Sequence, residues 1–287
     1  SNEGGTGDSR GWFIYAAIAA IIAILGALSI GFGTREVDSP LRENKEETGF
    51  KQVLGILVHN DQLMWLSCAY VLYGMGAYLT NSLMLYYFTY VLGHAAMFSI
   101  LGMANMVIGL LAVSMFPALA KKFKRRNVFV SCIVILLVAL GLFAFADKNV
   151  WLVILAGALF NLPQPLIFLV VLMTFTDIVE YGQLKLGHRD ESLVLSVRPL
   201  IDKCAGAVVT GITGMTAVLA GMSGNAKVAD ITASNVMTFK LIMIVGPAIA
   251  VLLGTFVFLK KVKITEEKHA EIVNELEKTW NKDDVEK

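Results

Sequence analysis

Residues 62–120 read QLMWLSCAYVLYGMGAYLTNSLMLYYFTYVLGHAAMFSILGMANMVIGLLAVSMFPALA and contain no Asp, Glu, Lys or Arg. A helix that crosses a bilayer needs about 20 predominantly apolar residues. The stretch is therefore too long for one crossing and long enough for two. Gly93 and His94 lie near its middle and favour a tight turn there, so the sequence predicts two membrane spans, at 63–91 and 95–119.

The remainder of the chain repeats this pattern of long uncharged runs. Of its 287 residues, 56% are hydrophobic and 16% are charged, whereas soluble domains are about 25% charged. The net charge of +1 gives no basic field for nucleic acid. We predict an all-α integral membrane protein with seven transmembrane helices, the other five at 11–33, 128–146, 150–175, 192–222 and 238–259.

The distribution of basic residues predicts the orientation of these helices. Of the 24 Lys and Arg residues, 20 fall in alternate loops and in the tail that begins at Lys260, and 4 fall on the other side. Loops rich in Lys and Arg stay in the cytoplasm. We expect a multi-pass protein of the plasma membrane, with its N-terminus outside and its C-terminus in the cytoplasm.

The spacing of the spans predicts four regions. A single helix and its preceding external loop (1–33) are followed by a polar central loop (34–62), a six-helix bundle (63–259) and a cytoplasmic tail helix (260–287). Transporters built from two helical halves have this layout. The first helix is then the last one of an N-terminal bundle, and the missing N-terminal half is an expected partner.

The segment 177–203 mixes charges of both signs with Gly and Pro. A solvated loop explains some of them, such as Lys185 and Asp190. The uncharged run after Lys203 has few strongly apolar residues, so a stable span recruits residues before it, and this places Arg198, Asp202 and Lys203 at membrane depth. Charges at that depth face a cavity or a partner and indicate function.

Two further features depart from a plain apolar helix. Pro163 and Pro165 fall inside the span 150–175, where they bend or break the helix; this marks either a substrate site or a passive kink. Tyr73, Tyr78 and Asn81 lie too deep in the span 63–91 for an interfacial aromatic belt. We expect them to line a cavity, where aromatic rings stack on sugars and hydroxyl groups bond to them.

Nothing in the sequence indicates an enzyme. It has no phosphate-binding loop, HExxH motif or Ser/His/Asp arrangement. Cys68, Cys132 and Cys204 lie in apolar stretches without metal-ligand spacing. We therefore predict no catalytic residue, no metal site and no cofactor.

The charged segment carries a family resemblance. Residues 176–200, TDIVEYGQLKLGHRDESLVLSVRPL, resemble the signature of the loop between helices ten and eleven in the glycoside–pentoside–hexuronide:cation symporters, above all the lactose and raffinose permeases of Gram-positive bacteria. The segments DSPLREN (38–44), NDQLMWL (60–66), LYYFTYVLG (85–93) and TEEKHAEIV (265–273) fit the same family. The similarity covers nearly the whole chain.

This resemblance implies a major-facilitator-like fold that transports a galactoside together with H⁺ or Na⁺. Residues that match Lys185, His188 and Glu191 are implicated in translocation and coupling in such permeases. Functionally sensitive positions of the related melibiose permeases match Asp177, Arg189 and Lys203. Asp202 departs from the melibiose permeases, which have apolar residues there. The implied partners are the sugar, the coupling cation and membrane lipid.

Two other functions fit the same composition. A lysolipid symporter of the wider superfamily would show a lipid-facing apolar cleft, whereas the deep Tyr and Asn residues favour a sugar. A membrane-embedded assembly or sensor protein that transports nothing would not need charges at membrane depth.

Overall fold

The computed structural model describes residues 9–33, 55, 58–187, 189–224 and 226–285. The chain divides into two units, Ser1–Gly49 and Phe50–Lys287. The described part of the first unit is a single helix, α1 (Ser9–Gly33). Most of the predicted central loop (34–54, 56 and 57) and the predicted site residue His188 lie outside the described residues.

The second unit is a helical bundle, and no strand occurs among the described residues. Its helices are α2 (Asp61–Tyr86), α3 (Met97–Phe123), α4 (Arg125–Ala146), α5 (Val150–Asn161), α6 (Pro163–Leu186), α7 (Glu191–Leu219), α8 (Ala233–Lys240), α9 (Gly246–Lys261) and α10 (Glu266–Val285). Short π-helical turns extend α2 through Tyr87–Val91 and join α8 to α9 through Leu241–Val245. The fold is all-α, as predicted.

Local chemistry sets several helix ends. The Asn60 side chain accepts a hydrogen bond from the Leu63 amide (3.1 Å) and caps α2. Thr265 does the same for α10, because its hydroxyl oxygen accepts from the Lys268 amide at 3.2 Å. The predicted turn at Gly93 forms with φ at +78°, a backbone conformation that favours glycine.

Six of the described segments are long and apolar enough to cross a membrane: Ser9–Gly33, Asp61–Val91, Met97–Phe123, Arg125–Ala146, Val150–Leu186 and Ala233–Lys261. Each overlaps a predicted span. The seventh predicted span corresponds to α7, which has 29 residues but carries Arg198, Asp202 and Lys203 and is rich in Gly and Thr. The count of seven therefore stays a prediction.

The helix α2 lies at the centre of the bundle and packs against α9 and α7. Small residues let the α2 and α9 backbones approach closely. A Cβ atom at Gly254 would lie 2.7 Å from the Ala69 carbonyl oxygen, and one at Gly76 would lie 2.8 Å from the Pro247 carbonyl oxygen. Buried aromatic side chains, Tyr87, Phe88, Phe143 and Phe160 among them, fill the remaining core.

Candidate functional site

Polar side chains from α2, α6 and α7 meet inside the bundle. We call Tyr78, Asn81, Gln164, Arg198 and Asp202 the central polar cluster. The Tyr78 hydroxyl donates a hydrogen bond to Asp202 Oδ1 at 2.7 Å, and Asp202 Oδ2 lies 3.1 Å from Arg198 Nη2. Arg198 and Asp202 are four residues apart on α7 and therefore share one helix face.

The surroundings of Arg198 are largely apolar. Its side chain is 19% exposed, and its guanidinium carbon lies 4.0 Å from the centroid of the Phe168 ring, a cation–π geometry. Its Nε atom is buried and has no hydrogen-bond partner among the described residues. The neighbouring carboxylate is therefore the main compensation for this deep charge.

The second part of the central polar cluster follows the α5–α6 junction. The backbone hydrogen bonding of the helix is interrupted at this junction because Pro163 and Pro165 lack backbone N–H groups. The Asn81 amide donates to Gln164 Oε1 at 3.1 Å, and the Gln164 amide reaches Asn161 Oδ1 at 3.3 Å. The proline interruption thus coincides with a chain of polar side chains.

Helix geometry gives the depth of this cluster. Asp202 lies 11 residues, or about 16 Å, from the start of α7 at Glu191, and Gln164 lies 13 residues, or about 20 Å, from Asp177 on α6. The hydrocarbon core of a bilayer is about 30 Å thick. The central polar cluster therefore lies near the middle of the span.

Tyr73 and Lys203 differ from these residues in their surroundings. Tyr73 is 6% exposed, and its ring stacks on Tyr70 with centroids 6.1 Å apart. Lys203 is exposed on α7 and makes no hydrogen bond or ion pair within the described part of the chain. The structure brings Tyr78, Asn81 and Asp202 into one cluster, with Tyr73 in the neighbouring core and Lys203 on an open face.

A second group of charges joins the tail helix to the bundle. We call Arg125, Asp177, Glu180, Arg189, Glu191, Glu266 and His269 the tail network. At its centre, Arg125 Nη2 lies 2.5 Å from Asp177 Oδ2, and each side chain is 10% exposed. Glu266 Oε1 accepts from the Arg125 amide at 2.6 Å and lies 3.3 Å from Arg125 Nε. This ties the start of α10 to the start of α4 and to α6.

The network continues to the segment that follows α6. Arg189 Nη2 lies 3.2 Å from both Glu180 Oε1 and Glu191 Oε2. His269 Nε2 lies 3.6 Å from Glu180 Oε2 and 3.8 Å from Asp177 Oδ1. The predicted residues Asp177, Arg189 and Glu191 thus belong to one network. It lies about 20 Å along α6 from the central polar cluster.

Lys185 lies beside the network in a separate contact. It forms an ion pair with Asp61 at the start of α2, and the Tyr181 hydroxyl donates to the same carboxylate at 2.8 Å. Gln62 Oε1 accepts a hydrogen bond from the Lys263 amide at 2.7 Å, and this bond attaches the segment between α9 and α10 to the start of α2. These contacts link α2, α6 and the tail on one end of the bundle.

The electrostatics of Glu266 reflect this docking. Burial alone would raise the pKa of its carboxyl group, but the hydrogen bond from the Arg125 amide and the Arg125 charge lower it more, and the net pKa lies below its usual value. The ionised form of Glu266 is therefore favoured by docking of the tail.

Several of these residues are not evident from the sequence. Asp61 and Arg125 lie at span ends, where a charge is normally solvated, and the tail residues Glu266 and His269 are far from α6 along the chain. The local signals near Asp61 are the Asn60 cap and the family resemblance of residues 60–66. No group of three or more His, Cys, Asp or Glu side chains that could hold a metal ion occurs within the described residues.

Comparison with known proteins finds a family that matches almost the entire chain. The MFS/sugar transport protein family matches residues 2–266. The chain is 52% identical over 276 residues to the raffinose carrier protein of Pediococcus pentosaceus, which covers 96% of this chain and 43% of that protein. It is 48% identical over 281 residues to the lactose permease of Lactobacillus delbrueckii subsp. bulgaricus, which covers 98% of this chain and 45% of that protein.

A more distant relative is the isoprimeverose transporter of Lactiplantibacillus pentosus, 25% identical over 279 residues, with 93% of this chain and 57% of that protein covered. The chain spans less than half the length of the raffinose carrier and the lactose permease. These relatives are carriers, permeases and transporters of bacteria, and none of the three is an enzyme.

Proposed function

Because the chain belongs to the MFS/sugar transport protein family, we propose that it is the C-terminal part of a galactoside:cation symporter of the bacterial plasma membrane. The substrate is a galactoside such as lactose, melibiose or raffinose, and the coupling ion is H⁺ or Na⁺. Transport follows alternating access, in which two helical halves move around a site near the middle of the membrane.

The central polar cluster is the observation that supports this proposal most strongly. Charged groups inside a membrane are costly and are retained where they contact a substrate or an ion path. Asp202 and Arg198 neutralise each other, whereas Lys203 on the same helix has no partner among the described residues. We propose that Lys203 contacts acidic residues in an N-terminal half of the transporter and takes part in the coupling between those residues and the sugar.

Tyr78, Asn81 and Asp202 have the chemistry of a sugar subsite. Hydroxyl, amide and carboxylate groups exchange hydrogen bonds with sugar hydroxyls, and aromatic rings pack on the apolar face of the sugar. Tyr73 supports the ring of Tyr70 beside them. We propose that the sugar competes for the hydrogen bonds that these side chains now make with one another.

The tail network is proposed to control access from the cytoplasm. Asp177, Arg189 and Glu191 form ion pairs that hold the segment after α6, and Lys185 pairs with Asp61 on α2. We propose that these ion pairs differ between the inward- and outward-facing states. His188 lies in the same segment, and a histidine there makes the pairing sensitive to pH near neutrality.

We propose a sugar rather than a lysolipid because the groups that converge at mid-depth are polar. The bundle also has an apolar groove on its outside, but this groove lies on the opposite side of α6 from those polar groups. The names of the two most similar relatives described above, a raffinose carrier and a lactose permease, point the same way. A protein without transport activity would have no use for a compensated Arg–Asp pair at this depth.

The test is uptake by the full-length protein in proteoliposomes. We expect accumulation of radiolabelled lactose, melibiose or raffinose when a H⁺ or a Na⁺ gradient is imposed, and no accumulation without a gradient. Absence of uptake of all three sugars under both gradients, with protein that is folded by circular dichroism, would overturn the proposal.

Two variants test the site assignment. Lys203→Ala and His188→Ala should each reduce gradient-driven uptake, and Lys227→Ala, an exposed lysine on the predicted outer side, serves as the matched control. If both variants leave counterflow and gradient-driven uptake unchanged, Lys203 and His188 have no role in transport.

A further inference from the structure

An apolar groove runs along the outside of the bundle between α3, α4 and the α5–α6 junction. It encloses about 450 Å³, and all its lining residues except Ser131 are apolar or Cys132. On α3 its wall is a stripe from Ile108 to Phe123, and on α4 it is a stripe from Val128 to Ile135. Residues at such three- and four-residue intervals share one face of a helix.

The dimensions of the groove match part of a lipid. The 15 residues between Ile108 and Phe123 correspond to about 22 Å along α3. One leaflet of the hydrocarbon core is about 15 Å deep, half of the total. The groove therefore extends through a whole leaflet, and its volume lies within the range of sites that hold small molecules, about 300–1,000 Å³.

The groove is separate from the central polar cluster. Leu162 and Leu166 line it, whereas Gln164 and Phe168 face the cluster. Leu166 lies about 200° around the helix from Gln164, because successive residues are about 100° apart. The groove thus lies on the opposite side of α6 and is no extension of the proposed sugar path.

Two lysines mark the predicted cytoplasmic end of the groove. Lys121 and Lys122 are exposed in the last turn of α3, next to Phe123, which lines the groove. Neither lysine forms an ion pair with an acidic side chain within the described residues. By contrast, Lys124 pairs with Glu267 at 2.5 Å and Arg126 donates to the Leu259 carbonyl at 2.6 Å.

We propose that this groove binds an anionic glycerophospholipid of the cytoplasmic leaflet. One acyl chain occupies the groove, and Lys121 and Lys122 bind the phosphate group of the lipid. Lys122 Nζ lies 5.3 Å from the centroid of the Phe123 ring, and neither lysine has an acidic partner within the described residues. An apolar wall as deep as a leaflet with two such lysines at its end therefore fits a lipid of net negative charge better than a zwitterionic one. The proposal uses the predicted orientation of the chain but not its sugar transport, so each is tested separately.

The experiment is photocrosslinking of the full-length protein in nanodiscs. Phosphatidylglycerol or phosphatidylcholine carries a diazirine in its acyl chain, and mass spectrometry maps the labelled residues. Each lysine near a membrane surface raises the affinity for anionic lipid about fivefold. We therefore expect labelling in the groove, at Met115 and Leu119, to be at least fivefold stronger with phosphatidylglycerol than with phosphatidylcholine.

Variants separate the headgroup contact from the groove. Lys121→Gln/Lys122→Gln should reduce phosphatidylglycerol labelling to the phosphatidylcholine level, while Lys148→Gln, an exposed lysine on the predicted outer side, leaves it unchanged. Ser131→Trp should block labelling in the groove.

The control for the bulky side chain is Val138→Trp, because Val138 is exposed on the same helix outside the groove. Equal labelling by the two lipids would overturn the proposal. So would labelling that avoids the groove, or a crosslink formed by the Ser131→Cys variant to another segment of the full-length protein, since that segment would then fill the groove.

Discussion

Removing the Arg125 guanidinium should destabilise the end of the bundle at which the tail docks. Arg125 and Asp177 are each 10% exposed and are joined at 2.5 Å, so Arg125→Gln leaves a buried carboxylate without its cation. Breaking a buried pair in this way costs about 3–5 kcal/mol. Replacing both Arg125 and Asp177 by leucine removes both charges. The double substitution should therefore lower the free energy of unfolding much less than a change of either residue alone.

A double-mutant cycle measures the coupling, and the neighbouring pair is the matched control. Lys124, the residue before α4, pairs with Glu267 of α10 at the same distance of 2.5 Å, but their side chains are 65% and 75% exposed. Solvated pairs of this kind often contribute nothing measurable. The two pairs thus have the same N–O separation and differ strongly in burial.

The assay is reversible unfolding of the full-length protein in mixed SDS micelles, followed by circular dichroism, with protease cleavage in the tail as a local readout. A coupling energy for Arg125 and Asp177 as small as that of the exposed pair would refute the argument from burial. So would a Leu/Leu protein as unstable as Arg125→Gln, because the cost would then come from lost packing and not from the unpaired charge.

Three further predictions concern packing, the central polar cluster and pH. Gly254→Ala should destabilise the protein by about 1–3 kcal/mol in the same unfolding assay, because its Cβ would lie 2.7 Å from a carbonyl oxygen of α2; Gly211→Ala, with open space around its Cβ, should not. Tyr78→Phe should weaken apparent sugar affinity by about two- to tenfold in proteoliposomes, since it removes the proposed hydrogen bond to a sugar hydroxyl and such a bond contributes about 0.5–1.5 kcal/mol, whereas Tyr86→Phe should leave it unchanged. Because the pKa of Glu266 is lowered in the docked tail, the stability that it contributes is present above its unfolded pKa of about 4.3 and is lost as the pH falls through the lower folded value. The hydrogen-exchange protection factors of α10, corrected for the pH dependence of intrinsic exchange, should therefore fall with acid in the native protein and fall less in Glu266→Gln.

Hydropathy predicts the spans well and their ends less well. The predicted span 11–33 corresponds to α1 at Ser9–Gly33, and 128–146 corresponds to α4 at Arg125–Ala146. The predicted span 150–175, however, continues as α6 to Leu186. The extra turns are amphipathic and carry charge, so hydropathy gives no signal for them, while backbone hydrogen bonding continues the helix.

The candidate site is only partly evident from the sequence, because its contacts join distant segments. Charge at membrane depth identifies Arg198 and Asp202, and the structure adds that these two residues pair with each other. The hydrogen bond from Tyr78 joins residues 124 positions apart, and the pair Arg125–Asp177 joins residues 52 apart. No local pattern predicts such contacts, and Arg125 resembles an ordinary basic residue at a helix start.

The acidic residue four positions after Arg198 on α7 has a physical reason. An isolated arginine at this depth would need solvent or a partner from another helix, and Asp202 supplies the partner from the same helix. Tyr78 then binds the second carboxylate oxygen and fixes the rotamer of the pair. Lys203 has no such local partner among the described residues. Under the function proposed above, the neutral sugar contacts the compensated pair, whereas Lys203 takes an acidic partner from outside α7 and can exchange that partner during transport.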